Sequence, residues 1–202
     1  VISAGLNPRL FSYFESFTDF LPDNNGKIKK KIILKVSDYR SALIQGKFLA
    51  KKGVWVSEFR IESGLNCGGH AFATPGELLG PILEQFKTQR TELITSIFET
   101  YIDALKERKV NIPTSPFPIL FTAQGGVGNV EEQLMLLNEF DIESVGWGTP
   151  FLLVPEAVSI DAPTLKLLEN CTEDDLYTSE ISPLGIPFNT IKGSTIEENM
   201  QE

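Results

Sequence analysis

Three glycine-containing segments carry the residues of this sequence whose types and spacing are best suited to chemistry. They are residues 64–70 (GLNCGGH), 123–129 (AQGGVGN) and 146–152 (GWGTPFL). Glycine lets backbone N–H groups approach an anion closely, and a helix N-terminus adds partial positive charge. The second and third segments therefore predict a phosphate cradle. Plain turn formation is the alternative interpretation.

The first of these segments ends in His70, the single histidine of the chain. An imidazole exchanges a proton near neutral pH, so a histidine held beside a cofactor is a natural general acid or base. A lone histidine is also often a structural hydrogen-bonding residue. The two preceding glycines and the predicted end of a strand favour the catalytic interpretation. For Cys67, a small buried residue is favoured over a reactive thiol.

The elements that must position these segments are strands alternating with helices. Residues 32–36 (IILKV) predict a buried strand, Ser37 and Asp38 an N-cap, and residues 39–52 a helix closed by Gly53. Further strands are predicted from Val54 through Ile61, at 119–122 and at 144–147. Further helices are predicted over 76–109, as one helix or as two meeting near Thr88, and from an Asn129 cap through Phe140.

This alternation predicts an α/β fold with a parallel sheet and right-handed crossovers. A complete (β/α)8 barrel takes roughly 250 residues, or about 30 for each unit. Residues 31–150 hold four such units, which predicts about half of a barrel within a single domain over residues 1–202. Residues 1–30 would form a strand and helix leading into it, with an apolar stripe from Leu10 to Phe20 packed in the core. Residues 151–202 would form a tail that packs over the barrel.

Composition excludes several classes of function. The formal net charge of −9 argues against nucleic acid as a partner. The basic run at 27–31 is interpreted as a solvated lead-in to a strand, and a binding patch is the less favoured alternative. No apolar run reaches the 18 or so residues of a membrane helix, so no membrane is expected. Two distant cysteines without a CxxC pattern fit a reducing cytoplasm and no metal site.

The second predicted strand has an unusual alternation, because Glu58, Arg60 and Glu62 are interleaved with Phe59 and Ile61. Buried parallel strands are usually apolar on both faces. The charged face could line a polar cavity, form an internal ion network, or belong to a strand left exposed in a half-barrel. The sequence leaves these three alternatives open.

The three glycine segments together resemble those of a known family, the nitronate monooxygenases (2-nitropropane dioxygenases) and the related flavin-dependent enoyl-acyl-carrier-protein reductases. Residues 64–70 resemble the family's sixth-strand signature ending in glycine-glycine-histidine. Residues 123–127 and 145–152 resemble the loops after its seventh and eighth strands. Asn66 and Cys67 stand where that signature has an acid and an alanine.

The resemblance implies the C-terminal half of an FMN-dependent (β/α)8 barrel, from strands 4 or 5 to 8. It implies an oxidoreductase in which His70 is the catalytic base. It also implies FMN as the cofactor, bound by a set of residues in the three segments: Gly68, Gly69, Gln124, Gly125, Gly126, Gly146, Gly148 and Thr149.

Two alternative functions stay open: an enoyl reductase acting on carrier-bound acyl chains, and a non-catalytic fragment that binds a phosphate ligand. The substrate is expected to be a small molecule or an acyl group. Since the first three strands of the family pattern are not recognised, we expect the 202 residues alone to be inactive. Unpaired sheet edges predict self-association or dependence on an N-terminal half.

Overall fold

A parallel four-stranded sheet forms the centre of the molecule, and its strands follow one another in chain order. The computed structural model describes residues 1–2, 5–63, 78–179 and 188–194. The strands lie in the order β1-β2-β3-β4, and each neighbouring pair is parallel. Their bounds are Ile32–Val36 (β1), Val56–Glu62 (β2), Leu120–Gln124 (β3) and Ser144–Gly146 (β4). The predicted α/β class with a parallel sheet is confirmed.

Helices connect these strands, as the sequence predicts. The helices are Pro8–Tyr13 (α1), Tyr39–Lys51 (α2), Leu79–Arg108 (α3), Val130–Glu139 (α4) and Ala162–Asn170 (α5). Helix α2 begins where the Asp38 carboxylate accepts a hydrogen bond from the Ser41 N–H at 2.6 Å. Gly53, which follows its end, has a left-handed φ of 70°. Both predicted boundary signals of α2 are therefore confirmed.

Helix α3 is one continuous helix of 30 residues, so the alternative of two helices meeting near Thr88 is wrong. The Thr88 hydroxyl donates to the Glu84 carbonyl at 2.9 Å, within the helix itself. That bond lets a β-branched polar residue remain inside a helix without breaking it. The only proline within α3, Pro81, lies in the first turn of the helix, where it removes no intrahelical hydrogen bond.

The two faces of the sheet have different surroundings. Helix α3 covers the face that carries Phe59 and Phe121, since the Phe86 and Phe121 ring centroids are 6.0 Å apart. Helix α2 reaches the same face at Gly46, where an added Cβ would lie 3.2 Å from the Phe59 ring. Consecutive parallel strands joined by right-handed crossovers place their helices on one side. The other face carries the charged side chains of β2.

The apolar stripe near the N-terminus is only partly in the core. Phe11 is fully buried, whereas Leu10 is 40% exposed and Phe17 is 42% exposed. Helix α1 ends after six residues, and two short 3-10 turns, Phe14–Ser16 and Thr18–Phe20, follow it. Phe14 and Phe20 are partly buried and pack against the core, so the predicted core packing is confirmed for Phe11, Phe14 and Phe20 and is wrong for Leu10 and Phe17. Ile2 makes a parallel bridge to Leu34, and residues 3–4 of the short strand predicted there lie outside the described residues.

The C-terminal part of the chain contains a second, smaller sheet. A 3-10 turn covers Thr149–Leu153, α5 follows, and Leu176–Ser179 (β5) pairs antiparallel with Phe188–Ile191 (β6). Helix α5 has no buried residue. The packing of residues 151–202 over a barrel stays a prediction.

Candidate functional site

Two of the predicted glycine segments meet at the carboxyl end of the sheet. Gln124, the last residue of β3, pairs in register with Gly146, the last residue of β4. The Gly125 N–H donates a hydrogen bond to the Gly146 carbonyl at 3.0 Å. Gly148 and Thr149 follow after Trp147, and Thr149 opens a 3-10 turn. Of the predicted phosphate-site residues, Gln124 and Gly125 of the first loop therefore lie beside Gly146 of the second.

The backbone of the first loop has the conformation that requires glycine. Gly125 has a φ of 81° and Gly126 a φ of 69°, in the left-handed region that other residues rarely adopt. Within the described part of the chain, the N–H groups of Gly126 and Val127 have no hydrogen-bond acceptor. Successive unpaired N–H groups in a glycine turn form a concavity suited to an anion.

The glycines of the second loop differ in the space around them. A Cβ added at Gly146 would lie 3.2 Å from the Gln124 side chain, so this glycine allows the two strand ends to approach closely. A Cβ added at Gly148 would meet no atom of the described chain within 4 Å. Gly148 therefore borders space that no described atom fills, two residues after the Gly146 carbonyl that accepts from Gly125.

The N-terminus of α4 is already occupied by two side chains. The Asn129 side-chain oxygen Oδ1 accepts from the Glu132 N–H at 2.8 Å, which confirms the predicted cap. The Glu132 carboxylate accepts from the Gly128 N–H at 2.7 Å. This carboxylate takes up part of the positive potential of the helix end. The capacity of the loop for a further anion therefore rests on Gly126 and Val127.

Trp147 connects the second loop to α4, a contact that the sequence analysis did not anticipate. Its indole N–H donates to the Gln133 side-chain oxygen at 2.5 Å. The loop after β4 is thereby attached to the helix that follows the loop after β3. The only signal in the sequence was a tryptophan between two glycines, which gives no partner.

An ion pair lies beside this junction, at the carboxyl ends of β1 and β2. The Lys35 ammonium is 2.9 Å from a Glu62 carboxylate oxygen. The Glu62 side chain is 3% exposed and the Lys35 side chain is 20% exposed. Glu62 also pairs in register with Gln124, so the ion pair adjoins the glycine loops. Sequence reasoning missed Lys35, although a lysine in the apolar strand IILKV was a usable signal.

A second set of polar contacts lies further toward the amino end of the same face. Glu58 accepts from the Arg60 guanidinium at 2.9 Å and from the Thr122 hydroxyl at 2.9 Å. Of the three alternatives for the charged strand, these contacts support an internal ion network. Glu58 and Glu62 are both buried, which argues against a strand that is merely left exposed.

His70, Gly68, Gly69 and Cys67 lie outside the described residues, so their predicted roles stay predictions. The strand that leads toward them is described to its end. Ser63, which follows β2, is fully buried, and it precedes the glycine–histidine segment directly.

The described residues contain no group of three or more histidine, cysteine, aspartate or glutamate side chains placed to bind a metal ion. None of the described helices is both long enough and apolar enough to cross a membrane. Comparison of the chain with protein-family models, curated proteins and solved structures gives no match.

Proposed function

We propose that this chain is part of an FMN-dependent oxidoreductase resembling the nitronate monooxygenases, with the phosphate of FMN held between residues 124–129 and 146–150. The observation that carries the proposal is the hydrogen bond from Gly125 to Gly146, which joins the two glycine loops at the carboxyl end of a parallel sheet. Ligands of parallel α/β sheets bind at that end of the strands.

The residues present fit the phosphate end of such a cofactor. The N–H groups of Gly126 and Val127, which have no acceptor among the described residues, are donors of the kind that hold phosphate. Gly148 and Thr149 would approach the same group from the second loop, where no side chain fills the space next to Gly148. When bound, FMN supplies the redox chemistry, and the protein supplies binding and orientation.

The remaining roles belong to residues around this cradle. The Lys35–Glu62 pair would fix the charge and shape of the site wall, because neither group can rotate away without leaving a partner unpaired. His70 would accept the proton from the carbon next to the nitro group of the substrate. Its place shortly after β2 is compatible with that role, since the segment begins at the same end of the sheet.

A (β/α)8 barrel is the architecture that we propose for the whole fold. Three features support it: strands in consecutive order, helices on one face, and charged side chains on the other. In a barrel the second face is the interior, which is filled by layers of side chains from neighbouring strands. Four strands would supply half of that interior.

An enoyl reductase acting on carrier-bound acyl chains is the second redox reaction that this site could serve. A non-catalytic domain that binds a phosphate ligand is the alternative of a different class. Measuring nitronate oxidation and enoyl reduction by the purified flavoprotein separates the first two. A protein that binds inorganic phosphate and no flavin would favour the third.

The proposal is tested by FMN titration of the full-length gene product, followed by flavin fluorescence. Gly126→Val should weaken FMN binding by about tenfold or more, because loss of one or two hydrogen bonds to a charged phosphate costs about 1.5–3 kcal/mol each. Gly148→Ala should also weaken FMN binding, since it adds a methyl group to space that is open within the described chain.

Gly128→Ala is the matched control. An added Cβ there would lie 3.6 Å from Glu132, an ordinary contact, and Gly128 is not among the described glycines with positive φ. Unchanged FMN affinity in both Gly126→Val and Gly148→Ala would refute the phosphate site. Thermal unfolding of each apoprotein separates a loss of binding from a loss of fold.

A further inference from the structure

A cavity of about 520 Å³ lies at the amino end of the sheet, opposite the glycine loops. It is bordered by the segment before β1, the start of β2 and the segment before β3. Its volume falls within the roughly 300–1,000 Å³ typical of small-molecule sites. No residue of the proposed FMN site lines it.

The walls of this cavity are mainly apolar. Ile28, Ile33, Phe117 and Leu120 contribute aliphatic and aromatic surface, and Trp55 lines the cavity beside Phe117. Trp55 is 1% exposed, and its indole N–H has no acceptor among the described residues.

Two lysines add positive charge to this cavity. Lys27 and Lys31 both line it, and neither ammonium has an ion-pair partner in the described part of the chain. The neighbouring Lys29 and Lys30 do not line it, and both pair with Asp19. The basic run at 27–31 is therefore divided into lysines paired with Asp19 and lysines without an ion-pair partner among the described residues.

The acidic group in the cavity wall is already neutralised. Glu58 lines the cavity and makes a 2.9 Å ion pair with Arg60. The local balance is therefore positive, in a chain whose formal net charge is −9. A mainly apolar cavity that is bordered by the ammonium groups of Lys27 and Lys31 suits a ligand that has an apolar body and one anionic group.

We propose that this cavity binds an amphipathic carboxylate, with its hydrocarbon body against Trp55 and Phe117 and its carboxylate at Lys27 and Lys31. The site is separate from the proposed FMN site, because the two lie at opposite ends of the strands. In the proposed barrel it would occupy the opening at the amino ends of the strands, since the segments before β1 and β3 line it, and not the packed interior between the strands. It favours a binding patch over a solvated lead-in for the basic run at 27–31.

Isothermal titration calorimetry with decanoate tests the proposal. Decanoate should bind at a single site, and decanol and decyltrimethylammonium should bind more weakly, because they lack the negative charge. The double variant Lys27→Gln/Lys31→Gln should lower decanoate affinity by about three- to tenfold, the usual effect of two exposed charge pairs. Lys29→Gln/Lys30→Gln makes the same change in net charge away from the cavity and should leave affinity within about twofold.

Leu120→Trp provides a second test, because it places a larger side chain in the cavity at a residue that is 45% exposed. It should reduce decanoate binding strongly while leaving the melting temperature near that of the wild type. Absence of decanoate binding would overturn the proposal. Equal losses in the two double-lysine variants, or equal binding of decyltrimethylammonium, would also overturn it, since binding would then not depend on Lys27 and Lys31.

Discussion

Replacement of Lys35 by methionine should destabilise the protein by about 2–4 kcal/mol, because Glu62 would remain buried without its partner. At the 2.9 Å separation of the two groups, the Coulomb attraction is about 6 kcal/mol with an effective dielectric constant near 20. Desolvation of both groups offsets much of that attraction. Removal of one member of a fully buried pair costs about 3–5 kcal/mol, and the partial exposure of Lys35 lowers the expected value.

Urea unfolding of a double-mutant cycle measures this pair directly. The variants are Lys35→Met, Glu62→Gln and the double replacement, which should be less destabilised than the sum of the single variants by about 1.5 kcal/mol or more. Lys29→Met is the control. Its side chain is 77% exposed and 3.3 Å from Asp19, so its loss should cost less than about 0.5 kcal/mol. Additive single variants, or a cost of Lys35→Met equal to the control, would show that Lys35 and Glu62 do not stabilise the fold as a pair.

Three further predictions concern other parts of the molecule. His70→Asn in the full-length protein should keep flavin and fold while lowering turnover by about 10²- to 10⁴-fold; normal turnover would show that His70 is not the base. Burial raises the pKa of Tyr101 above its usual 10.0, so the folded state favours the neutral hydroxyl. The free energy of unfolding should therefore be unaffected by this group below pH 10 and should fall as pH rises further. Tyr101→Phe should abolish this fall in stability at alkaline pH. It should change the free energy of unfolding at neutral pH little, because the hydroxyl has no hydrogen-bond partner among the described residues; chemical denaturation at pH 8 and pH 11 checks both points. Gly46→Ala should be less stable than Gly80→Ala by about 1–3 kcal/mol in thermal unfolding. The Cβ added at Gly46 would lie 2.6 Å from Ile97, whereas the Cβ added at Gly80 meets no described atom within 4 Å. Equal stability of the two variants would show that the Ile97 side chain moves aside at no cost.

Much of the central sheet could be predicted because its signals are local. The apolar strand IILKV, the Asp38 cap and the left-handed Gly53 each depend on neighbouring residues only, and all three were identified. The prediction for the N-terminal stripe was wrong at Leu10 and Phe17 for the opposite reason. Its helical spacing is real, but whether Leu10 and Phe17 are covered depends on how the chain bends after α1, which no local pattern encodes.

The site could be predicted in part for the same reason. Glycines at strand ends mark Gly125 and Gly146, but the hydrogen bond between them depends on β3 and β4 being neighbours. The pairing of Lys35 with Glu62 depends on the register of β1 with β2. Registers and strand neighbours are long-range properties, so these contacts needed the folded structure. The glycine–histidine segment itself stays a prediction.

The length of β2 has a consequence for how such a protein can change. Glu58 borders the cavity at one end, and Glu62 adjoins the glycine loops at the other, four residues further along the strand. At about 3.3 Å per residue, this places the two backbones about 13 Å apart. Substitutions separated by more than about 7–10 Å without shared partners combine additively. Substitutions at one end of β2 should therefore change ligand binding there without changing the site at the other end. The two sites could thus be altered independently, one substitution at a time.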